Sequence, residues 1–219
     1  EAFLNDPAPD AYEKLVDRLL AEDKAYWCGC SRRDLPPSGV YPGTCAGGLP
    51  PGRQARAVRL RVHAGPVRFD DLIQGPISED LRETTGDFVI WRADGLPAYQ
   101  LAVVADDACQ GVTEVVRGCD LLGSTARQVH VARCLGFRIP AYAHHAVAVS
   151  DDRKKLGKRY DSDPIGQVGR ARALALALRF LGHDAPADLP LEELWNWALQ
   201  AWDINRVPRR TEDPVPANR

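Results

Sequence analysis

The stretch DGLPAYQLAVVADDACQGVTEVVRG, residues 94–118, decides how the rest of this sequence is read. Its middle, LAVVADD, is an apolar run that periodicity alone assigns equally to a buried helix or a buried strand. Its end, VTEVVRG, alternates apolar and polar residues and predicts a strand. FVIWR, 88–92, predicts a strand before it, and residues 125–135 predict a helix after it, closed by Gly136. Further out, AVRLRV at 57–62 alternates, and VRFDD is expected to pair beside it across a turn at Gly65-Pro66. HHAVAVS, 144–150, reads as another strand. Helices are expected over 11–24, near 166–181 and over 191–202. The first has Asp10 as its N-cap and Tyr12, Leu15, Val16, Leu19 and Leu20 at helical spacing. The Pro- and Arg-rich tail is expected to fray. Strands and helices alternate without an internal repeat, so the class is α/β.

The chain has 219 residues, 45% of them hydrophobic and 26% charged, with a net charge of -2. That is enough for one large domain or two modest ones. No apolar run approaches the roughly 18 to 20 residues of a membrane span, and no signal-peptide pattern opens the chain. A cytoplasmic protein with reduced thiols is the default expectation. Methionine is absent and the first residue is Glu1, so the chain is expected to be processed or cut from something longer. Arginine outnumbers lysine 23 to 5, yet Lys154, Lys155 and Lys158 fall within five positions.

Three of the six cysteines lie in CGCSRRDLPPSGVYPGTC, residues 28–45. With reduced thiols, C-x-C followed by C favours a metal over a disulfide. A tetrahedral zinc site needs four ligands, and Cys28, Cys30 and Cys45 supply three. Asp34, Tyr41, His63 or a water is left to supply the fourth. Tyr41 is separated from Cys45 by a Pro-Gly-Thr turn, and a bound dication can lower a phenol's pKa of about 10. The plainer reading makes it a core tyrosine.

Two other groups carry chemistry. Tyr99 and Arg117 are expected on neighbouring elements, where a hydroxyl and a guanidinium fork suit a small carboxylate. The alternative is a core aromatic and a surface charge. DDRKKLGKRYDSD, 151–163, follows a strand and reads as a cationic loop suited to a polyphosphate, or as a solvated surface loop. From Arg153 to Arg179 there are eight Lys or Arg and two Asp, a local charge of +6 that points to phosphate or nucleic acid. Cys109, Cys119 and Cys134 are expected to be buried thiols, and Asp106 and Asp107 to cap or brace a site. His144 and His145 are read as strand packing, and Trp195, Trp197 and Trp202 as core.

With these features in this order, the sequence resembles the glutamyl-queuosine tRNA(Asp) synthetases, short paralogues of glutamyl-tRNA synthetase. The likeness runs from about residue 10 to residue 182 and more loosely to the end. In that family C-x-C followed by Y-x-x-x-C is a zinc site, so the resemblance implies a structural Zn2+ on Cys28, Cys30, Tyr41 and Cys45. The pattern DG-x-x-AY-x-LAVV-x-DD-x-x-QGVTE-x-VRG implies that Tyr99 and Arg117 hold L-glutamate. KKLGKR resembles the KMSKS loop of class I synthetases, which makes Lys155 and Lys158 the catalytic, ATP-facing lysines, with Mg2+ on the nucleotide.

The implied fold is a partial Rossmann-type catalytic domain with a zinc-binding insertion and a short C-terminal helical segment. Residues 1–86 would hold the first helix, the zinc subdomain and connecting strands. Residues 87–163 would form the second half of the catalytic domain, and 164–219 the helical segment. The implied reaction activates glutamate with ATP, without tRNA, and transfers it to the queuosine of tRNA(Asp); the implied state is a monomer away from membranes. Gly157 stands where the family's loop has serine. No HIGH-like motif is present, so the chain is expected to begin inside the catalytic domain and to lack half the ATP site. Only 60 residues follow Arg159, which favours the short family. Two other readings stay open: a piece of a full glutamyl-tRNA synthetase, and a non-catalytic, zinc-braced RNA-binding remnant whose tRNA binding would be salt-sensitive.

Overall fold

The structure, a computed structural model, describes residues 10–150, 153, 155 and 168–214. The chain divides into two compact units. One comprises Glu1–Phe69, Pro76–Val115 and Gly123–Ala141; the other comprises Asp70–Gly75, Val116–Leu122 and Tyr142–Arg219.

The first unit opens with helix α1, Ala11–Ala21, which buries Val16 and Leu19. Asp10 stands at the N-cap but makes no capping bond; its carboxylate pairs with Lys14 at 2.6 Å instead. The helix stops where Asp23 turns left-handed (φ 50), with the Lys24 N–H donating to the Leu19 carbonyl and that of Asp23 to Leu20. This is the usual way to satisfy the last carbonyls of a helix. Strands β1 (Ala25–Cys28), β2 (Ala57–Leu60) and β5 (Phe88–Trp91) form an antiparallel sheet with β2 in the centre, Cys28 opposite Ala57. Every residue of β2 is buried, Arg59 included.

LAVVADD resolves as helix. Residues Tyr99–Gln110 form α3, which buries Gln100, Leu101, Val104 and Ala105 at helical spacing. Helix α4, Leu122–Leu135, ends at Gly136 (φ 69), as the sequence predicts, but starts three residues earlier.

VRFDD forms strand β3, Val67–Asp71, but does not lie beside β2. Both edges of β2 are already taken, by β1 and β5. In the four-stranded order β4-β3-β7-β6, with β4 at Gly75–Glu79 and β6 at Glu114–Gly118, β3 pairs with β7, Ala141–His145. That pairing is parallel, with Asp71 opposite Tyr142, and needs the long intervening chain as its crossover. A short helix, α2 (Leu81–Thr84), precedes β5.

In the second unit HHAVAVS divides between the end of β7 and β8, Val147–Val149. The tail is not frayed at residues 212–214. Strand β9, Glu212–Pro214, runs parallel to β8, with Val147 opposite Glu212 and Val149 opposite Pro214. Helices α5 (Arg170–Phe180) and α6 (Leu191–Ala201) pack through Ala175, Leu178, Leu194 and Ala198. The tryptophans are not that core. Leu194 and Ala198 share one face of α6, and Trp195, about 100° round the helix from Leu194, is 52% exposed. Trp202 is 48% exposed and stacks on buried His183 at 4.7 Å; only Trp197 packs partly against the core. Of the three scattered cysteines, Cys119 and Cys134 are buried and Cys109 is exposed.

Candidate metal centre and ligand site

The C-x-C turn leaves the end of β1, and its glycine is there for a steric reason. A Cβ on Gly29 would lie 2.8 Å from the Gln54 carbonyl oxygen, so the chain at 53–54 can pass close only because position 29 is bare. The Arg56 N–H donates to the Cys28 carbonyl at 3.0 Å and closes this contact. Tyr41 is fixed from the other side: its N–H donates to the Thr85 carbonyl, and it bridges Gly86. Gly86 (φ 67) has no room for a side chain, because a Cβ would stand 2.2 Å from the Tyr41 carbonyl oxygen.

These constraints bring Cys28, Cys30, Cys45 and Tyr41 together. The three sulfurs lie within 4.8 Å of one another, with Cys30 and Cys45 at 3.7 Å. The Tyr41 phenol oxygen is 3.4 Å from Cys28 Sγ and 3.6 Å from Cys30 Sγ. A tetrahedral zinc with Zn–S near 2.3 Å and Zn–O near 2.0 Å separates its ligands by about 3.8 Å (S to S) and about 3.5 Å (S to O). The donors fit that ion. The other two candidates for a fourth ligand are engaged elsewhere. Asp34 accepts from Ser31 and from Arg53 at 2.7 Å, and His63 stands edge-on to His130.

Two arginines complete the cluster. Arg53 Nη1 donates to Cys30 Sγ at 3.4 Å; Arg59 Nε donates to Cys28 Sγ at 3.3 Å. Burial pushes the Cys28 thiol up, but bonds from Tyr41, the Cys30 N–H and Arg59 outweigh it and bring the pKa down to about 7. Burial pushes Cys30 and Tyr41 up, and hydrogen bonds with the cysteines push Tyr41 further. Without a cation the phenol therefore stays protonated. Neither arginine is visible in the cysteine spacing, because Arg53 arrives on the segment leading into β2 and Arg59 on β2 itself.

The second unit holds Arg117, on β6. Its Nε–H donates to His144 Nε2 at 3.0 Å, and its guanidinium lies 5.5 Å over the Tyr142 ring. His144 Nδ1 is 2.6 Å from Asp71 Oδ2, both side chains being fully buried. Burial holds His144 below the ordinary histidine range despite Asp71. The ring is therefore neutral, with Nδ1–H donating to Asp71 and Nε2 accepting from Arg117. Burial also acts against the Asp71 carboxylate, yet N–H groups of Gln74, His144 and Ile73 hold its pKa below the ordinary value. His144 is thus more than strand packing.

Lys155, in the same unit, turns back onto Val149 and pairs with Asp120 at 2.6 Å. Beside them, Arg153 pairs with Glu212 at 2.8 Å. These groups, with Cys119, Val147, Val149 and Thr211, line a cavity of about 260 Å³. Lys158 and Gly157 lie outside the described residues. Tyr99 is in the first unit, at the start of α3, and is 49% exposed. Asp106, further along α3, accepts from Tyr12.

Comparison with known proteins resolves the family. Residues 52–179 match the model of the tRNA synthetases class I (E and Q), catalytic domain. A curated glutamyl-Q tRNA(Asp) synthetase of Aromatoleum aromaticum is 47% identical over 94% of this chain and 69% of its own length. The chain belongs to the glutamyl-Q tRNA(Asp) synthetase family. Relatives of the same name from Geobacter sulfurreducens (48% identical, 91% of this chain, 69% of the relative) and Dechloromonas aromatica (46%, 95% and 73%) agree. Among solved structures, the glutamate-tRNA synthetase of Elizabethkingia anophelis superposes with a TM-score of 0.68 at 20% identity over 95% of this chain. A glutamate tRNA ligase of Elizabethkingia meningosepticum gives 0.70 at 21% over 93%. These two establish the class I catalytic fold, and the chain spans about half their length, 52% and 51%. Among the described residues, no helix is long and apolar enough to cross a membrane.

Proposed function

We propose that this protein carries out a two-step reaction: ATP-dependent activation of L-glutamate, then transfer to the queuosine of tRNA(Asp). In the first step an α-carboxylate oxygen attacks the α-phosphorus of ATP, the bond to the β-phosphate breaks, and pyrophosphate leaves. In the second a hydroxyl of the queuosine cyclopentenediol attacks the activated carbonyl and AMP departs. Such chemistry needs in-line placement and fixed cations on developing negative charge more than covalent help.

The observation that supports this reading is the pair of cations in the second unit. Arg117 has its base fixed by a neutral imidazole and suits a carboxylate; Lys155 lines a cavity of about 260 Å³ and suits a polyphosphate. Lys158 is assigned beside Lys155, and Tyr99 with glutamate, on the family pattern alone. Mg2+ would neutralise the departing pyrophosphate. Zinc on Cys28, Cys30, Tyr41 and Cys45 would brace its loop rather than act on substrate. Residues 1–86 then carry the metal-braced part, 87–163 the nucleotide and amino-acid part, and 164–219 a helical segment, in a cytoplasmic monomer.

The test is glutamate transfer by the protein expressed from its whole reading frame. Labelled glutamate is expected on tRNA(Asp) containing queuosine and not on the same tRNA without it, with both steps lost in Lys155→Ala. Glutamate on the 3′-terminal ribose would replace this reading with that of a glutamyl-tRNA synthetase. Salt-sensitive tRNA binding with no pyrophosphate release would leave the RNA-binding remnant.

A further inference from the structure

Arg117 is held by an acceptor that carries no charge. The geometry points to His144 and Asp71 as positioning residues for this arginine: the imidazole takes its Nε–H and fixes the guanidinium in the orientation that receives a carboxylate. The inference rests on the reading of Arg117 as the glutamate-binding arginine.

The Asp71 and His144 side chains at the centre of this chain of bonds are fully buried. Asp71 Oδ1 accepts the N–H groups of Ile73 (3.0 Å), Gln74 (2.9 Å) and His144 (3.1 Å), while Oδ2 takes the ring at 2.6 Å. Four donors leave the carboxylate no freedom, and the carboxylate leaves the ring none. Gln74 Nε2 holds the His144 carbonyl at 2.8 Å, and Tyr142 stacks on the imidazole at 6.0 Å. Arg117 Nε then meets an acceptor fixed in both position and direction.

The choice of acceptor has a chemical reason. A carboxylate on Arg117 would orient it equally well but would neutralise it and compete with the substrate for the fork. A neutral imidazole orients the guanidinium without itself offsetting the positive charge, and keeps the Asp71 charge one ring-width behind. The arrangement works only while His144 Nε2 is unprotonated, since a proton there would oppose donor to donor. The groups around the ring are Asp71 on β3, Arg117 on β6, His145 on its own strand, and the Cys119 thiol, which donates to the His144 carbonyl at 3.4 Å.

Two substitutions in the protein expressed from its whole reading frame separate positioning from mere packing. His144→Gln puts an amide oxygen near the Nε2 position and keeps an acceptor for Arg117. His144→Asn puts an amide nitrogen near the Nδ1 position, keeps the Asp71 partner and removes the acceptor that His144 Nε2 offers Arg117. In calorimetry His144→Asn is expected to raise the glutamate Kd about tenfold or more, and His144→Gln much less. The wild-type Kd should rise as pH falls through the folded-state pKa of His144, below its ordinary 6.5, and this acid limb should vanish in His144→Gln. In 15N NMR the Arg117 Nε–H should exchange slowly in wild type and in His144→Gln but rapidly in His144→Asn. Equal Kd changes in the two variants, or an Arg117 signal indifferent to His144→Asn, would overturn the inference. If the wild-type chain binds no glutamate, the reading of Arg117 has failed, and the Nε–H signal alone decides whether His144 holds it.

Discussion

The Arg59 guanidinium sits 3.7 Å from the centre of the Tyr41 ring while its Nε–H donates to Cys28 Sγ, so one buried cation touches two of the four converging donors. Three thiolates and a dication sum to a single negative charge. Arg59 offsets negative charge there in an interior where an unpaired charge is costly. Arg59→Met is therefore expected to weaken zinc binding roughly ten- to hundredfold in chelator competition. Arg59→Lys, lacking the fork that also reaches the Asp87 carbonyl, should recover only part of this. Unchanged zinc affinity in Arg59→Met would remove the arginine from the account.

Tyr41→Phe keeps the ring beneath Arg59 and deletes only the phenol oxygen. With cobalt in place of zinc, the thiolate-to-metal absorption should persist and the ligand-field bands should shift as water replaces the phenol. Tyr41→Cys should strengthen the thiolate absorption. Identical spectra for wild type and Tyr41→Phe would mean that the phenol is not a ligand.

The pH dependence of stability follows from Asp71 and His144. His144 titrates below its ordinary value of 6.5 in the folded protein, so the unfolded chain takes up its proton first. Its contribution is complete above 6.5 and is lost as pH falls through the folded value. Asp71 is held below its ordinary 3.8, so its contribution is lost as pH falls further, through its own folded value. Urea midpoints should therefore decline in two stages on acidification. Asp71→Asn should remove the lower stage and cost on the order of 3 kcal/mol at neutral pH, since it leaves a buried donor facing a donor. A flat profile between neutrality and the carboxylate range would contradict the neutral-ring assignment.

Gly86 and Gly95 have similar left-handed backbones, φ 67 and 78, but different surroundings. A Cβ at Gly95 meets nothing within 4 Å; one at Gly86 meets the Tyr41 backbone at 2.2 Å. Gly95→Ala should cost about 1 kcal/mol, the intrinsic strain alone. Gly86→Ala should cost clearly more, at least about 2 kcal/mol, and should also weaken metal binding. Thermal melts with and without zinc check both.

The features legible in the sequence were those whose partners lie close along the chain. Cys28, Cys30 and Cys45 fall within eighteen residues, so spacing alone marks them as a cluster, whereas Tyr41 is singled out among the candidate fourth ligands only by the family resemblance. The strand at β2, the helix closed by Gly136 and the strand carrying Arg117 were readable from local alternation and capping. VRFDD was placed beside its nearest neighbour, whereas its partner lies about seventy residues on, and parallel pairing leaves no local trace. The same distance hid the role of His144: its carboxylate is 73 residues away and its arginine 27. Asp71 on the same face of β3 as apolar Val67 was the available signal, since a charge at a core-facing position demands a partner. The tryptophans misled because hydrophobicity was read without asking which face Leu194 and Ala198 occupy.

Gly86 has one further consequence. Tyr41 is tied by its backbone to residues 85 and 86, and the adjoining Asp87 accepts from Tyr26, Arg59 and Val62. Four separate stretches of chain are thus knotted at one point, and an ion bound there would cross-link them like a rivet through four sheets. Metal starvation would then register as the loosening of a whole cooperative patch, β1 and β2 included, and hydrogen exchange at Val58 and Val62 would report zinc supply as faithfully as any assay of the ion itself.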